Sequence, residues 1–226
     1  MGNPSAHLDQ VRLKTPLGAE TIAGLKLGTV VYLDGLVYTG REGVYKRLIE
    51  DGAAPPTDLA AIGNVNFHCS PAAAVEPDGS YTVGAVAATA SFRFAKWLDP
   101  WFRLSGCKVI IGKAGMAGET YRKVFVPHGA VYLTTVGYGT GALLGRGIKR
   151  VVEVHWLEEL GIAQAMWVFE VENFGPFLVE SDLEGNSLFE RANAEIAKNL
   201  DRLYAGTKPA TLRRYGETDE RGEEVI

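Results

Sequence analysis

A chain of 226 residues, 46% of them hydrophobic, can bury a full core, and its length fits one large domain or two small ones tightly joined. A formal charge of −4 and an isoelectric point near 5.6 exclude the face-wide basic excess that a nucleic-acid groove needs to displace phosphate counterions. No apolar run approaches the roughly 18 residues of a membrane span, and the N-terminus lacks the basic-then-apolar order of a signal peptide.

Residues 11–25, which open with the alternation Val11-Arg12-Leu13-Lys14, read as one or two strands leading into the core. The runs 29–33 and 36–38 read as a hairpin about a turn at Asp34-Gly35. Thr39 and Glu42 form a capping box for a helix to about Glu50, with Val44, Leu48 and Ile49 inward and Gly52 as its stop. Arg41 then falls in the first turn, where unpaired N–H groups and the helix dipole already favour an anion.

Residues 53–78 are rich in Pro, Ala and Gly and read as irregular, with a β-like stretch at 62–67 and a turn at Ser70-Pro71. A strand at 81–83 leads through Gly84 into 87–94, where a helix begins and runs toward Phe102, perturbed by Pro100. A start at or just before Thr89 puts Thr89 and Arg93 on one helix face. Gly106 closes that helix, and the short buried strand 108–111 delivers Gly112-Lys113-Ala114-Gly115 into a loop before a helix at 119–126.

A strand at 130–136 enters the glycine-rich stretch 137–141, and strand-like stretches follow at 151–154 and 165–171. Ser187 and Glu190 box the start of a helix whose stripe is Phe189, Ala192, Ile196, Leu200 and Leu203, ending at Gly206. This predicts a domain over 1–206 and a charged tail over 207–226. Strands alternating with helices argue for an α/β layered domain rather than a sandwich or a bundle. Arg41, Arg93 and Lys113 each follow a β-like run, with Thr89 one helical turn before Arg93. Three cations and a hydroxyl collected at one edge suit a small dicarboxylate.

Other motifs are set aside on their spacing. Five residues, not four, separate Gly106 from Gly112-Lys113, and Ala114 stands where a phosphate loop needs Ser or Thr. Gly137-x-Gly139-x-x-Ala142 follows a strand, but only eight residues lie between Ala142 and Val151, too few for a crossover helix. His68 and Cys69, drawn as a base and a thiol, would point to opposite faces of a strand. His7, His128 and His155 are scattered and read as surface or hydrogen-bonded groups. Cys69 and Cys107 form no C-x-x-C pair and suit a reducing cytoplasm. Ala6 occupies the position where myristoylation at Gly2 would need Ser or Thr, so the chain reads as untargeted.

Between about Gly18 and Phe189 the chain resembles the β subunit, or C-terminal domain, of the iron–sulfur class I fumarases and tartrate dehydratases. The likeness lies in Asp34-Gly-Leu-Val-Tyr-Thr-Gly-Arg41 through Leu48, in Val83-Gly-Ala-Val-Ala-Ala-Thr89-Ala-Ser-Phe-Arg93 and in Ile110-Ile-Gly-Lys113. It continues in Val136-Gly-Tyr-Gly-Thr-Gly-Ala142, in Glu159-Leu-Gly161 and in Glu170-Val-Glu172-Asn-Phe. The order and spacing of these pieces are specific where no single piece is.

The resemblance implies a layered, swivelling β/β/α domain of mixed sheet with flanking helices. It would complete a hydro-lyase site whose 4Fe-4S cluster is carried by a separate, cysteine-bearing α subunit, in a heterodimer or a dimer of heterodimers. By the same likeness Arg41, Arg93 and Lys113 match positions that bind substrate carboxylates, and Thr89 matches a threonine implicated in moving the proton. Dehydrating a 2-hydroxy dicarboxylate gathers negative charge on the carboxylate beside the departing proton, where cations stabilise the transition state preferentially. The open iron of such a cluster can act as Lewis acid toward the hydroxyl.

The chain departs from the family pattern at Tyr45, commonly His, at Ala87 and Ala88, commonly part of a Gly-Pro-Thr-Thr run, and at Ala114, commonly Gly. Fumarate, tartrate and a methylfumarate such as mesaconate therefore all stand as candidate substrates, with Phe92 and Tyr45 as candidates to line a modified substrate arm. Two other classes fit the same sequence: a non-catalytic assembly or binding subunit of this fold, and a nucleotide-dependent α/β enzyme using the glycines of 137–141.

Overall fold

Strands that are apolar on both faces must be covered on both, and that condition organises most of the chain. The computed structural model describes residues 8–137 and 139–206, so the predicted tail and His7 lie outside the described residues. Two compact units are delimited, one ending at Glu190 and the other beginning at Arg191. In chain order the first elements are β1 (Gln10–Lys14), α1 (Ala19–Ala23), β2 (Val30–Thr39), α2 (Glu42–Tyr45), β3 (Val65–Phe67), β4 (Cys69–Val75) and β5 (Tyr81–Ala88). They are followed by α3 (Ala95–Ser105), β6 (Val109–Gly112), α4 (Gly118–Thr120), β7 (Val131–Thr135) and α5 (Gly141–Arg146). The last are β8 (Ile148–His155), α6 (Leu157–Leu160), β9 (Met166–Ser181) and α7 (Leu188–Tyr204). Among the described residues no helix is long and apolar enough to cross a membrane.

The main sheet is mixed and runs β1-β2-β3-β6-β7-β9-β8. The contacts from β1 through β7 are parallel, whereas β9 is antiparallel to β7, β8 and β2. Its pairing with β2 closes a ring of β2, β3, β6, β7 and β9. Val109, Ile111, Val131, Leu133, Trp167 and Phe169 pack in one core cluster, while Ile110, Tyr132, Met166 and Val168 join a second with Trp101, Tyr121 and Phe125. Successive side chains alternate between the two, as the period of a strand requires. β4 and β5 make a separate two-stranded antiparallel sheet.

The predicted α/β layering holds, but five local expectations do not. The stretch 11–25 yields one strand, β1, and then the helix α1. Asp34-Gly35 is no hairpin turn, because β1 and β9 pair along β2 through this point and keep it a single strand. Gly35, at φ +104°, sits at a register shift, and a Cβ there would come within 2.6 Å of Thr15 Oγ1. Asp34 accepts from Arg12 Nε at 2.6 Å and from the Asn173 N–H at 2.7 Å.

The capping box at Thr39 does not form. Thr39 Oγ1 instead donates to the Ala165 carbonyl at 3.2 Å and accepts the Trp167 N–H at 3.0 Å, so β9 consumes the hydroxyl and Arg41 becomes the N-cap residue of α2. Residues 53–78, expected to be irregular, contain the whole of β4, with Ser70-Pro71 inside it rather than at a turn. The helix expected to start near Thr89 begins later, as a 3-10 turn at Ser91–Phe94 running into α3. Thr89 cannot join it, because its N–H donates to the His68 carbonyl at 2.6 Å and its carbonyl accepts the Lys113 N–H at 3.0 Å. The i, i+4 face predicted for Thr89 and Arg93 is therefore absent.

Candidate functional site at the carboxyl ends of the parallel strands

β2, β3, β6 and β7 run in one direction, with Thr39 beside Phe67, Phe67 beside Ile111 and Gly112 beside Thr134. Their carboxyl ends therefore share an edge, the usual place for a ligand in sheets of this kind. Arg41 lies just past the end of β2, His68 past β3, Lys113 past β6, and Gly137 past β7. The second sheet delivers Thr89 and Arg93 to the same edge, since Ala90 forms a parallel bridge with Lys113. All four positions singled out in the sequence thus meet there, with sheet pairing rather than a helix face bringing Thr89 in.

Arg41 is half-buried, and Nη1 donates to the Ala163 carbonyl at 2.7 Å, which orients the guanidinium. Burial lowers its pKa below the ordinary arginine value, and the like charge of Arg93 lowers it further against the opposing influence of Cys69. The two guanidiniums therefore feel each other. Arg93 is exposed, with its Cζ 5.7 Å from the centre of the Phe94 ring. Thr89 is 7% exposed. Lys113 borders an open cleft of about 310 Å³ whose other walls include Val86, Ala88, Thr135 and Leu144. It also borders a second hollow of about 240 Å³ reaching Phe189. Arg41, Thr89 and Arg93 do not line these two clefts.

Ala114, following Lys113, adopts φ +61°, a left-handed conformation that costs a residue with a Cβ roughly 1–2 kcal/mol. Phe92 projects into solvent at 60% exposure, but Tyr45 is fully buried and cannot line a substrate arm, which corrects that half of the expectation. Its ring instead packs on Trp101 at 5.1 Å and on His68 at 5.8 Å.

His68 and Cys69 do diverge as neighbours in extended chain should. His68 lies 4.8 Å from the Phe94 ring, and Cys69 packs in the other core cluster. Burial raises the thiol pKa of Cys69 well above its ordinary value and drives His68, with Arg41 as a second cause, down to about 3. Cys69 is therefore a protonated core thiol and no nucleophile. His128 Nε2 donates to Asp99 Oδ1 at 2.9 Å and His155 Nε2 to Glu153 Oε2 at 2.8 Å, the ordinary hydrogen-bonded roles expected of them. Among the described residues no group of three or more His, Cys, Asp or Glu could hold a metal ion.

Sequence reasoning missed a buried polar chain beneath this edge. Asn66 Nδ2 donates to Tyr45 Oη at 2.6 Å, Tyr45 Oη lies 2.6 Å from His68 Nε2, and His68 Nδ1 lies 2.7 Å from Ser91 Oγ. Tyr132 Oη stands 2.9 Å from Ser91 Oγ and 3.4 Å from the Lys113 carbonyl. Five polar side chains from four separate stretches of chain carry no spacing signal. The one available hint was that Asn66 and His68 interrupt an otherwise apolar stretch.

The glycines of 137–141 do not build a dinucleotide unit. α5 is six residues long, and the β8 that follows pairs antiparallel to β9 instead of parallel to β7.

Residues 2–192 match the family described as Fumarase C-terminus. A Methanocaldococcus jannaschii protein named "Putative L(+)-tartrate dehydratase subunit beta" is 35% identical over 190 residues, covering 83% of this chain and 95% of that one. The L(+)-tartrate dehydratase subunit beta of Escherichia coli strain K12 is 31% identical over 189 residues, covering 84% of this chain and 91% of its own length. A Geobacillus stearothermophilus protein named "Putative fumarate hydratase class I" is 34% identical over 193 residues, covering 85% of this chain but 36% of the larger relative. The chain belongs to the fumarase C-terminal family.

Proposed function

We propose, from membership of the fumarase C-terminal family, that this chain is the β subunit of a heteromeric hydro-lyase that adds or removes water on a small dicarboxylate. In this reading it works with a cysteine-bearing α subunit in the cytoplasm, and its catalytic body is residues 1–206. The observation that carries the reading is the meeting of Arg41, Thr89, Arg93 and Lys113 at one strand-end edge, with Thr89 and Lys113 joined through the backbone at 3.0 Å.

Arg41 and Arg93 grip the substrate carboxylates. Their mutual repulsion and the burial of Arg41 are unfavourable without an anion, so a dicarboxylate that neutralises both is bound with a stronger response than either alone would give. Lys113 adds a third charge at the end of the substrate nearest Thr89. As the carbon acid loses its proton, charge grows on the adjacent carboxylate, and fixed cations there favour the transition state over the ground state. The Thr89 hydroxyl moves the proton, assisted by an acidic group of the partner. A bare threonine hydroxyl is too weak a base to act alone.

The iron–sulfur cluster belongs to the partner in this reading. Cys69 and Cys107 are both buried, burial raises both thiols, Cys107 to about 11, and they fall in different core clusters, so this chain's thiols do not suit a cluster. No step is assigned to a cluster ligand from this chain.

The test is anaerobic co-expression with the partner, followed by assay of the purified complex on fumarate, mesaconate and L(+)-tartrate through the absorbance of the conjugated double bond. Turnover of at least one, lost on Thr89→Val, is expected. A stable complex inactive on all three would favour an assembly subunit and overturn the hydro-lyase reading.

A further inference from the structure

Beneath the proposed site, Asn66, Tyr45, His68, Ser91 and Tyr132 are all fully buried and joined in one hydrogen-bonded chain. Each link touches a segment that carries a site group. Tyr45 stands one helical turn beyond Arg41 and donates its N–H to the Arg41 carbonyl at 3.0 Å. The His68 carbonyl accepts the Thr89 N–H at 2.6 Å, Ser91 lies between Thr89 and Arg93, and Tyr132 reaches the Lys113 carbonyl. Among the described residues, the His68 ring is the hydrogen-bonded link between Tyr45, on the Arg41 side, and Ser91, on the Thr89–Arg93 side.

A neutral imidazole has one N–H and one lone pair, so Tyr45 and Ser91 must meet it in opposite roles. Their hydroxyl orientations are thereby coupled across the ring. The same spot tolerates no added bulk, because a Cβ at Gly112 would overlap Ser91 Oγ and Tyr132 Oη.

We propose that His68 is a positioning residue: by bridging Tyr45 and Ser91 it holds the strand-end segments bearing Arg41, Thr89, Arg93 and Lys113 in one mutual register. The inference rests on the hydro-lyase reading for its catalytic consequence. His68 itself does not touch the substrate, being sealed beneath the edge. Residues that hold a site within about 0.5 Å of its productive geometry act this way, and a misplacement of about 1 Å can cost roughly 10²-fold in rate.

The experiment compares the wild-type complex with His68→Phe, which removes both ring partners, His68→Asn, which keeps a donor or acceptor near the Nδ1 position, and Ser91→Ala. Expected for assembled His68→Phe is a fall in kcat/KM of roughly 10²-fold, with His68→Asn recovering at least about tenfold of it. A purely structural role would lower the melting temperature while leaving kcat and KM per folded site within about twofold of wild type, and that result overturns the proposal. If His68→Phe does not assemble, Ser91→Ala decides on the same criterion. Amide exchange of Thr89 and Lys113 supplies a readout that needs no turnover. Their protection should drop about tenfold in His68→Phe while that of Ile110 and Ile111 holds, and unchanged protection also overturns the proposal. A wild-type complex without turnover sinks the hydro-lyase reading, and exchange alone then decides the positioning.

Discussion

The N–H of Lys113 donates to the carbonyl of Thr89 at 3.0 Å, fastening the loop after β6 to the chain leaving β5. An ammonium and a hydroxyl 24 residues apart in sequence are thus fixed by main-chain geometry, so their side chains can be changed without dissolving the link.

That independence makes Thr89→Val a clean test. Valine keeps the shape, and neither backbone bond of Thr89 uses the hydroxyl. Turnover should fall by roughly 10²–10⁴-fold, the usual worth of a proton-transfer group, while the melting temperature and subunit assembly stay near wild type. Thr89→Ser should retain part of the rate.

Arg93 is exposed and its replacement should be nearly neutral for stability. Arg93→Lys keeps the charge but loses the planar, two-pronged donor geometry. KM for the dicarboxylate should rise about tenfold or more, which is about 1.4 kcal/mol of lost binding, with the thermal midpoint unchanged. Steady-state kinetics and a melting curve on the same preparation check both halves.

Acidification should weaken the fold through His68. Its folded pKa of about 3 lies below the 6.5 of an unfolded histidine, so between those values the unfolded chain binds more protons. The contribution of His68 is fully present above about pH 6.5 and is lost as pH falls from there toward 3, at about 1.4 kcal/mol per pH unit. Denaturant midpoints at pH 7 and pH 5 should therefore differ less for His68→Phe than for wild type, and equal differences would refute the assignment.

Two neighbouring positions should respond in opposite directions. Gly112→Ala would drive a methyl into Ser91 Oγ and Tyr132 Oη, both buried, and should destabilise by about 1–3 kcal/mol, the usual cost of overpacking. Ala114→Gly removes a Cβ from a residue at φ +61° and should leave stability unchanged or raise it by up to about 1 kcal/mol. Chemical denaturation of the two variants side by side reads both signs.

Several elements were legible because their signals are local. Val109-Ile110-Ile111 announces a strand buried on both faces, and the structure puts Val109 and Ile111 in one core cluster and Ile110 in the other. Ser187 caps α7, accepting the Glu190 N–H at 3.0 Å as its box predicts, and Gly106 ends α3 in the left-handed conformation. The failures share a cause. Asp34-Gly35 looks like a turn and Thr39 like a cap only while their partners are ignored. β1 and β9 hold the first straight, and β9 takes the hydroxyl of the second.

The amino-acid order alone determined the layered α/β class and the loops after strand-like runs at which Arg41 and Lys113 sit, because these depend on residues close together in the chain, and the order and spacing of its motifs carried the family likeness. Tertiary structure alone decided that β2, β3, β6 and β7 run parallel, that β9 closes the ring against β2, and that Tyr45, His68, Ser91 and Tyr132 meet below the shared edge. Pairing between distant strands and satisfaction of buried polar groups are properties of the packed whole, and no window along the chain contains both halves of either.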